Sequence, residues 1–207
     1  ARRVHREQPL RLGVERPARR AEVIDALRER VARVHVLMHS LAFGTLRPFI
    51  AEDASLEVTQ KQMDMTLDVM ANSLVYWCQD LFHAGVFSGD ARVYGMTSEG
   101  SSRVWRGHGV VSAAKAALES HIRQLAVELG PYGISVNAIQ AGVTETPAQS
   151  KIPGANEMLD GALARNPRGR LTTPEDVGKA IRALSEPGLG WINGGVIKVD
   201  GGESLVL

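Results

Sequence analysis

ARVYGMTSEGSSRVWRGHGVVSAAKAALESHIRQLAVELGPYGISVNAI, residues 91–139, reads as strand, loop, long helix and strand. The segment 91–98 is a short, nearly continuous apolar run of the kind that forms a strand buried on both faces. From about Ser112 to Leu129, Ala116, Leu118, Ile122, Leu125 and Leu129 recur at helical spacing. Gly130-Pro131 punctuates the end of that helix. Residues 134–139, ISVNAI, then form another buried strand. A strand, a helix of this length and a second strand make a crossover unit, which joins parallel neighbours in one sheet.

The same alternation runs outward in both directions. PARRAEVIDALRERVARV, residues 17–34, carries Val23, Ile24, Leu27, Val31 and Val34 at helical spacing, and VHVLMHSLAF, residues 34–43, follows as a buried strand. Residues 58–85 read as one long helix stopping near Gly85. TPEDVGKAIRAL, residues 173–184, opens with Thr173 as N-cap, Pro174 at the first helical position and acids in the first turn. GGVIKVDGG, residues 194–202, is a last strand bracketed by glycines. The pattern specifies an α/β fold, a doubly wound parallel sheet with helices on both faces, in one domain spanning 1–207.

Composition narrows the function classes. Of 207 residues, 44% are hydrophobic and 23% charged, a globular balance. The net charge of +1 gives no electrostatic case for nucleic acid or an anionic membrane surface. The arginines of the first thirty residues are interleaved with acids, the mark of a solvated helix face. No apolar run approaches the ~20 residues of a membrane span. Cys78 is the only cysteine, in an apolar helical context, so it reads as an inert buried thiol in a soluble, cytoplasmic protein. The histidines have no carboxylate partners at ligand spacing, so no metal site is expected.

In parallel sheets of this kind ligands bind beyond the carboxyl ends of the strands. That places HSLAFG (39–44), TSEG (97–100) and QAGVTET (140–146) around one site. His108 stands seven positions before Lys115, just after the second of these segments. A cation expected in the first turn of a helix opposes the macrodipole, which points to a functional reason for Lys115.

These segments, with VNAIQAGVTETP, GRLTTPEDVG and VIKVDGG, resemble the short-chain dehydrogenase/reductase family, and within it the enoyl-acyl-carrier-protein reductase branch. The resemblance implies a Rossmann-like fold and reduction of the C=C bond of an enoyl thioester, or of a related carbonyl compound, in a fatty acid-like or secondary-metabolite pathway. In that branch six residues separate the catalytic tyrosine from the lysine, and here that spacing puts His108 in the tyrosine's place. The three-residue spacing of the main family lands on Val111, which cannot donate a proton.

By resemblance, Lys115 binds the nicotinamide ribose, while Thr97 or Ser98 positions the substrate. Ser40, Leu41 and Ala42 line the adenine-side ribose and nicotinamide, and Gly142, Val143 and Thr144 meet the carboxamide. An imidazole N–H can donate the tyrosine's hydrogen bond to the thioester oxygen. The charge of Lys115 is expected to keep His108 neutral. His39, also in the branch's signature, is expected to be structural. Tyr94 reads as a packed strand aromatic, not as a replacement for the missing tyrosine.

Departures from the family are as informative. No glycine-rich turn follows a first strand and opens a helix, and the stretches GDARVYG and GLGWINGG read as turns. With Ala1 in place of a starting methionine, the chain reads as lacking the first β-α-β unit, either left out or absent from the protein. Arg2 and Arg3 then resemble the bases that meet the 2′-phosphate of NADPH, pointing to NADP, with NAD left open. Gly13 stands where the family has an adenine-contacting Asp, and Ala141-Gly142 replaces its Pro-Gly.

Residues 147–170 correspond to the family's mobile substrate cover, with Met158, Leu159, Ala162 and Leu163 as an apolar wall for an acyl chain. The long helices 58–84 and 112–129 imply a homodimer or homotetramer by analogy. The missing tyrosine leaves a second reading open: a repurposed member without hydride transfer, serving as a binding protein or as a cofactor-free acid–base catalyst through His108.

Overall fold

Val93 and Tyr94 are consecutive, fully buried residues that face opposite sides of one sheet. The computed structural model describes residues 17–30, 33–147 and 149–206. Four strands, β1 (Val34–His39), β2 (Phe87–Thr97), β3 (Ser135–Ala141) and β4 (Val196–Val199), lie in the order β1-β2-β3-β4, all parallel. The helices are α1 (Pro17–Glu29), α2 (Gln60–Leu67), α3 (Ser73–His83), α4 (Gly109–Leu129), α5 (Ala155–Arg165) and α6 (Pro174–Leu184).

On one face Val93, Val136 and Ala138 pack against Leu74 and Cys78 of α3 and Leu118, Ile122 and Leu125 of α4. Burying a leucine such as Leu118 contributes on the order of 2 kcal/mol. Gly95 permits this packing, because a Cβ there would meet Ile122 Cδ1 at 2.8 Å. On the other face Tyr94 and Ile139 pack with Val177, Ile181 and Leu184 of α6. Tyr94 is thus a packed aromatic, as its strand position implies. Burial pushes the Cys78 thiol up to about 12, so it stays protonated and inert.

β1 forms an edge of the described sheet. Its Val36 and Met38, paired with Arg92 and Tyr94, are 39% and 45% exposed, leaving that end of the face uncovered. Arg2, Arg3 and Gly13 lie outside the described residues.

Several boundaries differ from expectation. β1 stops at His39, and residues 40–43 continue as loop with Phe43 exposed. β2 begins at Phe87 rather than 91, because Phe87 pairs with Val34 across a register shift. The helix expected over 58–85 is α2 and α3 joined by a π-helical turn, Asp68–Asn72. α4 begins at Gly109, three residues before Ser112, and Ala116 is exposed; the buried stripe runs through Val110, Ala114, Leu118, Ile122, Leu125 and Leu129. The left-handed turn after α4 falls on Gly133 (φ 76°), not on Gly130. The start of α6 is as expected: Thr173 caps it reciprocally with Asp176.

Candidate active site

The carboxyl ends of β1, β2 and β3 bring together the three segments that the sequence singled out. Lys115, only 6% exposed, reaches from α4 across the end of the sheet. Its Nζ donates to the Met96 carbonyl at 2.6 Å and to the Leu41 carbonyl at 3.4 Å. An ammonium has three donors, so one remains for a ligand beside the β1 loop. Burial depresses its pKa to about 8, against the opposing pull of Glu119. Because α4 starts earlier than expected, Lys115 sits in its second turn. What sets it apart is a buried ammonium on two carbonyls, not a first-turn mismatch.

Glu119 was not foreseen. Four residues after Lys115 it returns to the same helix face, and its Oε1 accepts from the Thr97 hydroxyl at 2.5 Å. Thr97 is therefore committed to the framework. Ser98, next in the chain and half-buried, makes no side-chain hydrogen bond among the described residues, so its hydroxyl is the open one of the pair.

His108 is the N-cap residue of α4 by backbone, with Ser112 N–H donating to its carbonyl at 2.8 Å, but its side chain caps nothing. Its Nδ1 is buried without a hydrogen bond of normal geometry. Burial holds the imidazole below its ordinary pKa, with the Arg106 carbonyl pulling the other way. What disfavours the imidazolium is burial, rather than the expected charge of Lys115.

That charge acts instead on His39, whose pKa falls to about 4 through burial and then Lys115. His39 Nε2 lies 2.8 Å from Ser73 Oγ, which itself donates to the Val69 carbonyl at 2.7 Å. The imidazole must then be the donor, and its neutral form is a strut between β1 and α3.

The two backbone segments expected to face a cofactor differ in their freedom. Ser40 and Ala42 are exposed beyond β1, and Leu41 is held by Lys115. In the other segment, Val143 N–H donates to Glu203 Oε2 at 3.1 Å, and Thr144 Oγ1 donates back to the Gly142 carbonyl at 2.9 Å. Gly142 keeps its glycine for space: a Cβ would run into the Thr172 hydroxyl, and into Glu203 Oε2 at 2.8 Å.

Over this end lies α5, within the segment expected as a cover. Of its apolar residues only Ala162 is buried; Met158 and Leu159 are half-covered, and Leu163 is 45% exposed. Gly154, at its start, approaches Trp105 of the loop that leads to His108. A separate cleft of about 410 Å³, lined by Asn166, Arg168, Asp176, Lys198 and Asp200 among others, opens beside β4, away from Lys115 and His108.

A parallel sheet with helices on both faces and a buried lysine at the carboxyl ends of its strands is a Rossmann-like arrangement, in which ligands bind beyond the strand ends. Comparison with known proteins makes this specific. Residues 1–204 match the family model described as enoyl-(acyl carrier protein) reductase. The chain is 32% identical over 189 residues to an enoyl-[acyl-carrier-protein] reductase [NADH] 2 of Rhizobium meliloti (strain 1021), covering 88% of this chain and 67% of that protein. It is 35% identical over 117 residues to a 1-cyclohexenylcarbonyl-CoA reductase of Streptomyces collinus, covering 56% and 42%. The crystal structure of the Bacillus cereus enoyl-acyl carrier protein reductase with NADP+ and indole naphthyridinone superposes with a TM-score of 0.85 at 25% identity, covering 95% of this chain and 75% of that one. The chain belongs to the enoyl-(acyl carrier protein) reductase family and is an enzyme of that short-chain type. These relatives are all named reductases, so the reading without hydride transfer gains no support from them.

Proposed function

We infer that this chain reduces the carbon–carbon double bond of an enoyl thioester with hydride from a nicotinamide nucleotide, NADPH or NADH. The observation that carries the reading is Lys115, buried at the carboxyl ends of β1 and β2 with a donor to spare, on the same helix that His108 opens. The residues suit the nicotinamide half of such a nucleotide. Lys115 offers its N–H to ribose hydroxyls, Ser40–Ala42 lie alongside, and Gly142–Thr144 close the other side. Arg2 and Arg3 remain the candidates for a 2′-phosphate and favour NADPH. Named relatives act on both acyl-carrier-protein and coenzyme A thioesters, and the shared chemistry is the α,β-unsaturated thioester.

Bound there, the nicotinamide would supply hydride to the β-carbon, and negative charge would build on the thioester oxygen. His108 answers that charge. Its neutral imidazole donates an N–H to the oxygen, stabilising charge that develops only in the transition state. Ser98, with its hydroxyl open, positions the thioester, while Thr97 holds Glu119 beside Lys115. The segment 147–170 covers the acyl chain through Met158 and Leu159. The assembly we infer is a homodimer or homotetramer, supported by Val127, an apolar side chain of α4 that is 73% exposed.

The test is calorimetric binding of NADPH and NADH, followed by nucleotide oxidation with a short enoyl-coenzyme A. The wild type should bind one nucleotide and turn over. His108→Phe should bind the nucleotide equally and lose roughly 10²–10⁴ in rate, while His108→Tyr retains activity. Failure of the wild type to bind either nucleotide sinks the reading.

A further inference from the structure

Glu203 is a carboxylate buried to 2% exposure in a loop whose sequence, VDGGES, looks like surface. Burying a charge is costly unless it is paired, and the structure gives its partners. Asp200 shapes the loop: its carboxylate accepts from Gly202 N–H at 2.9 Å and Ser204 N–H at 3.2 Å. Gly201 and Gly202 take the left-handed conformations (φ 65° and 93°) that this turn requires. The result is a short 3-10 turn, Glu203–Leu205, that aims the Glu203 side chain inward.

There Glu203 meets three elements. Its Oε2 accepts the Val143 amide at 3.1 Å, and Oε1 lies 3.5 Å from the same nitrogen. Its Oε1 stands 3.7 Å from Arg165 Nη2 at the end of α5. The same guanidinium nitrogen lies 3.6 Å from Glu99 Oε2, just past the end of β2. Arg103 closes the ring, pairing with Glu99 at 2.8 Å and reaching the Ser204 carbonyl at 3.5 Å. One cluster thus ties the turn after β3, the covering helix and the loop before His108.

We propose that Glu203 is a positioning residue: it fixes the Gly142–Thr144 turn through the Val143 amide and, through Arg165 shared with Glu99, couples the seating of α5 to the shape of that turn. The proposal rests on the reading of 142–144 as a cofactor-facing segment, but its structural half stands apart from it. Burial, Glu99 and Asp200 act to raise the Glu203 pKa, while the Val143 amide and Arg165 favour the carboxylate; the net shift is upward. The charge is held by few partners, so removing either should be felt.

The experiment compares wild type, Glu203→Ala, Glu203→Gln and Arg165→Met by amide hydrogen exchange, NADPH and NADH affinity, and KM against kcat for the enoyl thioester. Glu203→Ala should accelerate exchange at Val143 and through 155–165, and weaken nucleotide binding roughly tenfold. Glu203→Gln keeps an acceptor for Val143, so it should restore most nucleotide affinity but not the protection of α5. Arg165→Met should loosen α5 and raise the thioester KM, with nucleotide affinity within about twofold. Wild-type exchange at Val143 and α5 in folded Glu203→Ala overturns the proposal. If the wild type binds no nucleotide, the functional reading fails, and the exchange data alone still decide whether Glu203 holds the turn and helix together.

Discussion

The two sides of the candidate site are built differently. Around Lys115 and His39 the parts are buried, belong to strands and long helices, and find partners at fixed distances along β1, β2, α3 and α4. Around Ser98, the loop that leads to His108 and the end of α5, the parts are tied by ionic contacts among Glu99, Arg103, Arg165 and Glu203. The first side is a framework of buried groups on regular elements. The second is a rim whose geometry depends on charges meeting across the chain, where local opening costs least.

The largest expected effect breaks the framework without harming the fold. Lys115→Met should lower thioester reduction by about 10²–10³, in line with losing one pre-placed electrostatic group. Thermal unfolding should hold or rise, since a buried cation is replaced by apolar volume. In the wild type, nucleotide affinity should fall as pH rises through about 8, where Lys115 loses its proton. Stability moves the other way over that range. The unfolded lysine still binds a proton up to about 10.5, so unfolding is progressively disfavoured as pH climbs.

Next comes the strut. His39 refuses a proton until about pH 4, whereas the unfolded imidazole takes one near 6.5. The unfolded state therefore gains protons first on acidification, and stability is lost as pH falls through that window. The full effect is on the order of 3 kcal/mol. Urea unfolding at pH 7 and pH 4.5 should show it, and His39→Asn should flatten the slope. An unchanged slope in that variant would remove His39 from the framework.

The smallest effect separates the neighbours Thr97 and Ser98. Thr97→Val strands the Glu119 carboxylate and should cost about 1–3 kcal/mol, read by chemical denaturation, with the thioester KM little changed. Ser98→Ala should leave stability within about 0.5 kcal/mol and raise KM severalfold. The reverse pattern would exchange their places between framework and rim.

The same division explains what the sequence could tell. Periodicity placed the framework, because Leu118, Ile122 and Leu125 repeat toward one face and Val93 and Tyr94 fill a two-sided strand. Its limits were the element ends. Leu41, Ala42 and Phe43 continue the apolar run after His39 but pair with no strand. Phe87 joins β2 only because Val34 lies across from it, a long-range fact invisible in SGD turn chemistry. Lys115 and His108 stand out only through the family resemblance, whose six-residue gap runs back from the one to the other. Glu119 had a signal, its i,i+4 relation to Lys115. Glu203 had none, since an acid after two glycines reads as solvent-facing until distant Val143 and Arg165 are seen beside it.

The start of α4 at His108 has a geometric consequence. Residue 108 already accepts the helix's first hydrogen bond, so Lys115 follows it by nearly two whole turns of a rigid rod. Seven residues at 1.5 Å each set the two Cα atoms about 10 Å apart, within about 20° of the same azimuth. The helix is thus a ruler, graduated in turns, that sets the stride between an imidazole and a buried cation. Adding one residue between them would swing His108 by about 100° around the rod.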